Sequence, residues 1–394
     1  MAGTQLMRTA IAWQLFELTR NPLQLGLLGL SRFIPLLLFG LWGGVIADRG
    51  DRRMTLVRTQ VILLALSLAL AGLTATGHIT PAWIYLITML AAAVGAVGSP
   101  TRQALIPALV PPGLLPGAMT MNSLAFEIGS VVGPALGGIL IASLGVAPIY
   151  LFDALTFLLV IGAALAMDAR PIVPAVRQGG LEAVREGLRF LWMTPILLGV
   201  MGLDFIATFW GQSNVLMPIF ASDILGGGPQ TLGLLLSAPA AGALLGSTAM
   251  AALRLPRRPG LGVLVAVAIY GACIVGFGLS GSLPVSLALL AGSGAADAVS
   301  MAMRHTVRTM VTPDALRGRI AAAHSTFAMG GPQLGEFEAG LAASWLGAPA
   351  AVAFGGVGVI VSTALIAWKA PAIARFDAHS AIVPAPDAAG NRTT

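Results

Sequence analysis

Long apolar runs separated by short polar breaks set the rhythm of this chain from its first residues. Crossing the ~30 Å hydrocarbon core of a bilayer as a helix takes roughly 20 mostly apolar residues. Runs of that kind fall at 23–47, 55–76, 82–101, 118–142, 147–167, 194–221, 229–252, 261–280, 284–303, 320–343 and 349–369. A twelfth, QLMRTAIAWQLFEL at 5–18, precedes them and covers only about 21 Å as a helix. It reads as a clipped first helix, as if the natural chain began upstream of Met1. Inside a bilayer only helices and closed barrels satisfy their own backbone, and these runs lack the two-residue alternation of barrel strands. The pattern predicts an all-α membrane protein of twelve transmembrane helices.

One connection is long and charged. Within 168–193, Leu181, Val184, Leu188 and Leu191 recur at helical spacing, with Glu182, Arg185, Glu186 and Arg189 between them. That is the pattern of an amphipathic helix lying on the membrane surface. It divides the chain into a six-helix bundle at 1–167 and another at 194–375, followed by an Ala/Pro/Asp-rich tail at 376–394 expected to lie undocked.

Composition agrees with the pattern. Apolar residues make up 57%, charged residues 10%, and the mean hydropathy is +0.88, against about a quarter charged in a soluble domain. The net charge of +6 is topological rather than a nucleic-acid footprint. The arginines gather in 48–53, 168–193, 254–258 and 304–319, while the alternate loops are short and uncharged; Arg20 is the exception. The positive-inside bias then puts both termini in the cytoplasm. The single cysteine, Cys273, excludes a disulfide, and His78, His305, His324 and His379 are too scattered for a metal site. With no His-Glu-x-x-His, nucleotide-binding glycine loop or Ser/His/Asp clustering, an enzyme, a cofactor and direct ATP drive are not expected.

The two halves repeat. VPPGLLPG at 110–117 corresponds to VTPDALRG at 311–318, a shift of 201, and with one inserted residue Asn122, Ser123, Gly133, Gly138 and Gly145 match His324, Ser325, Gly335, Gly340 and Gly347. Parallel repeats of this kind build many transporters. In the fifth run, Gly129, Gly133, Gly137 and Gly138 leave one helix face bare around Pro134. Such a face fits either ordinary close packing or a hinge. Ionisable groups inside spans are costly and point to function by default; here they are Arg8, Arg32, Glu127, Asp153, Asp204, Asp297, Glu336 and Glu338, with Asp153 read as a structural contact.

Two stretches carry a family resemblance. The loop Gly44-Val-Ile-Ala-Asp48-Arg49-Gly50-Asp51-Arg52-Arg53 resembles the signature loop of the major facilitator superfamily, and Gly129 to Gly138 resembles the antiporter motif of its proton-driven exporters. Residues 17–30 and the tenth-to-eleventh region are similar to the enterobactin (siderophore) exporter branch. The resemblance implies a monomeric exporter of a small amphiphilic molecule, siderophore-like or drug-like, in a bacterial inner membrane, with protons and the lipid bilayer as its other partners. An importer or a lipid flippase on the same fold is the alternative. It also implies a cytoplasmic latch of Gly44, Asp48, Arg49, Arg52, Arg53 and Arg102, with Asp48 near 318–321 or Arg102. Helices 1, 2, 4, 5, 7, 8, 10 and 11 would line the cavity, with Gln14, Arg32, Asn122, Trp210, Gln212, Asn214 and Gln333 facing substrate. Proton carriers would come from Asp204, Glu127 and Asp297, in that order, then Glu336 and Glu338. Asp204 leads on condition that no arginine sits within about 4–6 Å. The superfamily's arginine motif in helix four is missing from 82–101.

Overall fold

The computed structural model describes residues 2–49, 51–167, 189–252, 256–313 and 316–377, without the side chains of 2, 40–49, 112, 317–319, 321–323 and 325–329. Among them there is no strand. Twelve long helices follow one another: α1 (Ala2–Thr19), α2 (Pro22–Arg49), α3 (Arg52–Ala75), α4 (Pro81–Leu109), α5 (Leu115–Leu144), α6 (Ala147–Ala166), α7 (Pro195–Gly211), α8 (Pro229–Ala252), α9 (Pro259–Leu279), α10 (Leu283–Val311), α11 (Arg317–Leu346) and α12 (Ala348–Lys369). A short α13 (Pro371–Arg375) closes the described chain. Ten segments are long and apolar enough to cross a membrane, α7 counting together with the turns that carry it to Ile224. The surface confirms the solvent: Leu155, Leu159, Val265, Ile269, Val361 and Trp368 are all exposed on α6, α9 and α12. In water that would be a liability; in lipid it costs nothing.

Three boundaries differ from the sequence reading. The fourth run was expected to end at 101 and the tenth at 303, yet α4 continues through Pro100 and Pro107 to Leu109, and α10 continues to Val311. A proline removes one hydrogen bond, which packing against neighbouring helices can offset, so Arg102, Arg304 and Arg308 lie within helices. The seventh run was expected unbroken over 194–221. Instead α7 stops at Gly211, against which the Tyr270 hydroxyl packs. The chain resumes through a 3₁₀ turn at Asn214–Leu216 and a π turn at Phe220–Ile224. The amphipathic segment expected within 168–193 falls mostly in 168–188, outside the described residues, as does nearly all of the 376–394 tail.

The repeat is visible in the helices themselves. α4 and α10 have 29 residues each, and α5 and α11 have 30. α5 and α11 end on left-handed glycines, Gly145 at φ 80° and Gly347 at φ 82°. Packing partners repeat too: α1 with α5, α2 with α4, α3 with α4 and α3 with α6 in the first six helices; α7 with α11, α8 with α10, α9 with α10 and α9 with α12 in the last six. Between the two sets the extensive contacts are α2 with α11 and α5 with α8, themselves equivalent under the repeat.

These crossings depend on glycine. A Cβ on Gly340 would lie 2.8 Å from the Pro22 carbonyl oxygen, and one on Gly26 would lie 2.9 Å from the Gly340 Cα. A Cβ on Gly233 would stand 2.6 Å from the Pro134 carbonyl oxygen and 3.0 Å from the Gly138 Cα. Gly129, Gly133, Pro134, Gly137 and Gly138 are the buried face of α5. Without a hydrophobic drive between helices in lipid, close backbone approach is the main source of association. Gly233→Val is therefore expected to part α5 from α8 and to lower stability by about 1–3 kcal/mol, the usual range for overpacking. Thermal unfolding of the purified variant in detergent, together with the yield of a 131–237 cysteine crosslink, measures both effects.

Candidate functional site

The two helix sets meet at one end, and toward the other α5 loses its packing among the described residues. At the meeting end, Arg20 reaches across to Asp223 at 3.3 Å and Ser222 at 3.4 Å, with its guanidinium 4.5 Å from the Phe16 ring centre. This accounts for the one arginine that breaks the charge pattern. Both partners of the ion pair are half-exposed or more, so it adds little stability and serves to register the ends. Behind it, Leu15, Phe16, Leu25 and Leu28 share one core with Leu216, Phe220, Leu232 and Leu235. Deeper still, Ser237 donates to the Val131 carbonyl at 2.7 Å, and a Cβ on Gly330 would touch the Phe33 ring at 3.2 Å.

Toward the arginine-rich end the packing stops. No described residue of α5 before Gly129 is buried, whereas Gly129, Gly133, Pro134, Gly137, Gly138 and Ile141 all are. Met121 and Phe126 stand exposed. A cavity of about 340 Å³ opens there, lined by Ser99, Arg102 and Gln103 of α4 and Asn122, Ser123, Phe126 and Glu127 of α5.

Two charge clusters lie along the cleft. In the first, Arg32 of α2 pairs with Glu336 of α11 at 3.2 Å, both largely shielded from solvent. Arg8 of α1 has this pair as its charged neighbours, and it is hydrogen-bonded to Gln5 at 3.4 Å. The second lies among α7, α10 and α11. Arg304 contacts Asp204 at 2.8 Å and Asp297 at 3.1 Å, and His324 Nε2 stands 3.5 Å from the other Asp204 oxygen. Asp297 also lines a second, smaller cavity of about 120 Å³ at the α7 break, with Gln212, Asn214, Tyr270 and Ser293.

Known proteins can now be set against this architecture. The profile of the family described as transmembrane secretion effector matches residues 1–389. The chain belongs to that family. It is 28% identical over 383 residues to the enterobactin exporter EntS of Citrobacter koseri, covering 94% of this chain and 89% of the relative. Among solved structures, it is similar to a bacterial homologue of the iron transporter ferroportin in an inward-facing state (TM-score 0.71, 18% identity, 93% of this chain and 94% of that one). It is also similar to a bacterial homologue of the human lysosomal transporter Spinster, inward-facing and unoccupied (TM-score 0.70, 18% identity, 94% and 92%). The protein is thus a multi-pass membrane transporter of the major facilitator type, and not an enzyme.

The transporter brings some of the expected residues together and disperses others. Asn122, Glu127 and Arg102 share the open cavity; Gln212, Asn214 and Asp297 share the smaller one. Gln333 is half-buried at the α2–α11 crossing, where its carbonyl oxygen packs against Gly29. Gln14 does not line either of these two cavities: it is buried within the first helix set, donating to Thr74 at 3.0 Å and accepting from Tyr150 at 2.8 Å. Trp210 does not either. It packs on Gly358 of α12, edge-on to Phe209 and Phe354. The unpaired setting expected for Asp204 is also corrected, since Arg304 occupies it. Glu338, two residues past Glu336, is half-buried, and two positions on a helix cannot share one face.

Asp153 has the structural role read from its position: Ser67 donates to it at 2.6 Å, and its second oxygen lies beside Gly3 in the first turn of α1. Arg52 and Arg53 donate to the Ala104 and Leu165 carbonyls, tying α3 to α4 and α6. Gly44, Asp48 and Arg49 lie among the residues whose side chains are outside the description. Arg304 falls outside the tenth run as read to 303, and His324 lies inside the eleventh run, where the sequence reading considers it only as a metal ligand. The available signal was Asp297, Arg304 and Arg308 at i, i+7 and i+11, one face of a helix that continues.

Removing Arg304 leaves two carboxylates facing each other inside a membrane protein. Breaking a buried pair costs about 3–5 kcal/mol, and the partial exposure of Asp297 puts Arg304→Gln near the lower end. A melting curve of the purified variant should fall accordingly, and adding Asp204→Asn should recover part of the loss.

Proposed function

We propose that this transporter is a secondary active exporter, moving a small amphiphilic molecule (siderophore-like or drug-like) out of a bacterial cytoplasm by alternating access in exchange for protons. The observation that carries the reading is the one-sided closure: glycine crossings and the Arg20–Asp223 bridge at one end, an unpacked α5 and an open cavity at the other. The arginine-rich end faces the cytoplasm by the positive-inside bias, so the cleft opens where an exporter loads. The equivalent helix contacts support twelve spans in two six-helix bundles, 1–167 and 194–375, joined by 168–193, with both termini cytoplasmic. The protein acts as a monomer in the inner membrane. The enterobactin exporters among its relatives support the siderophore-like end of the substrate range.

The latch resemblance keeps its place in this scheme. Asp48 closes the cytoplasmic end in the outward-facing state, with Arg102 or the start of α11 as its partner. Asp48→Ala is expected to lower transport severalfold while membrane insertion is unchanged; equal transport by the variant would reduce the loop to a topology signal.

Proton carriage moves from Asp204 to Glu127 in this reading. A carrier must lose and regain its proton as the cavity changes sides, which calls for an acid that the cavity's water can reach and that no fixed partner holds. Asp204 touches Arg304, whereas Glu127 lines the open cavity beside Asn122 and Phe126. Proteoliposomes loaded with a panel of siderophores and drugs, with and without a pH gradient, test export itself. On the same preparations, Glu127→Gln should abolish pH-driven efflux and retain substrate binding. Unchanged pH-driven efflux would return the role to Asp204, to be examined through Asp204→Asn.

A further inference from the structure

We propose that Arg8 is the recognition point for a negatively charged group on the transported molecule, so that the cleft takes amphiphilic organic anions ahead of neutral or cationic ones. The proposal rests on the export reading above and names its substrate class.

Three helices deliver charge to one depth. Arg8 lies eleven residues before the end of α1, Arg32 ten after the start of α2, and Glu336 ten before the end of α11. All three helix termini are at the closed end. At 1.5 Å per residue, each side chain is rooted about 15–17 Å from that end, near the middle of a ~30 Å hydrocarbon layer. Two cations therefore share one carboxylate. Arg32 is committed to Glu336 at 3.2 Å. What remains for Arg8 is a 3.4 Å hydrogen bond to the neutral Gln5 amide and the field of that pair.

Arg8 is exposed to solvent at this depth, which leaves its guanidinium accessible to a solute entering from the open end. The nearby acids do not change the balance. Asp204 and Asp297 are taken by Arg304; among the described residues Glu336 is the carboxylate whose charge acts on Arg8, and Glu127, on the wall of the open cavity, is not one of its charged neighbours. The excess is one positive charge at the bilayer midplane. An arginine there is retained at a cost, and a guanidinium offers a planar fork that matches carboxylate, sulfonate or catecholate oxygens. The open cavity between α4 and α5 carries Phe126 and Asn122 beside Arg102 and Glu127, and Phe126 suits the apolar remainder of such a molecule.

The test compares one ring with three charges. 2-Naphthoate, 2-naphthalenemethanol and 2-naphthylmethylammonium are titrated calorimetrically into the full chain in phosphatidylcholine nanodiscs at fixed ionic strength. Naphthoate is expected to bind at least tenfold more tightly than the alcohol, with the ammonium weakest. Arg8→Gln should erase the naphthoate advantage and Arg8→Lys keep part of it. Glu336→Gln should strengthen naphthoate binding by releasing Arg32, a gain that general damage to the fold cannot imitate. Equal affinity for all three rings, or an undiminished naphthoate advantage in Arg8→Gln, overturns the proposal. Efflux from proteoliposomes separates it from the export reading. Outward movement of the alcohol or the ammonium but not of naphthoate keeps export and removes the anion site. Tight naphthoate binding with no efflux of any ring keeps the site and removes export.

Discussion

Backbone-to-backbone contact between two helix sets in lipid is the constraint on which this molecule depends. Water drives soluble helices together, but lipid is as apolar as leucine, so two bundles hold only where their backbones can touch. Here they touch at Gly26 with Gly340 and at Gly138 with Gly233. Both contacts lie toward the same end, and the repeat relates the helix pairs that make them. Side chains at any of these positions would pry the sets apart where they must seal. Before Gly129 the same helix α5 carries no bare face to its partner, and among the described residues its packing is lost there.

That geometry decides where charge can live. An ion in the hydrocarbon layer must be paired or wet. Arg8 stays exposed to solvent and Arg32 pairs with Glu336, while Arg304 holds its two carboxylates within the last six helices. The two clusters differ in kind. Around Arg304, opposite charges meet at 2.8 and 3.1 Å, an arrangement suited to fixing α7 against α10. Around Arg8, one positive charge is left over. The first resembles structure, the second a binding surface.

The α7 break shows how packing redirects a sequence that reads as continuous. Residues 194–221 are mostly apolar and read as one span, although Asp204 lies within it and Gly211, Asn214 and Pro218 weaken the helix locally. Tyr270 of α9 lies against Gly211, and from Gln212 the chain turns through non-helical backbone. The amides of Gln212 and Asn214 thereby reach a small polar cavity with Asp297 and Ser293. Trp210, on the preceding turn, is carried instead to the α12 side.

Hydrophobic length, arginine placement and the 201-residue repeat were enough to establish an all-helical membrane protein, the order and approximate extent of its helices, and the special character of the α5 glycine face. These are local or one-dimensional properties: a run of twenty apolar residues has one stable state in a bilayer whatever its neighbours do. Pairing between residues far apart in the chain was not legible. Gln14 reads as a cavity amide until Tyr150 and Thr74 claim it, Asp204 reads as an isolated acid until Arg304 arrives from a helix that outruns its apolar segment, and Arg20 reads as a topological error until Asp223 meets it. Each of these partners lies 60 or more residues away. A side chain's partner depends on the rotation and depth of two helices at once, and only the tertiary structure sets both.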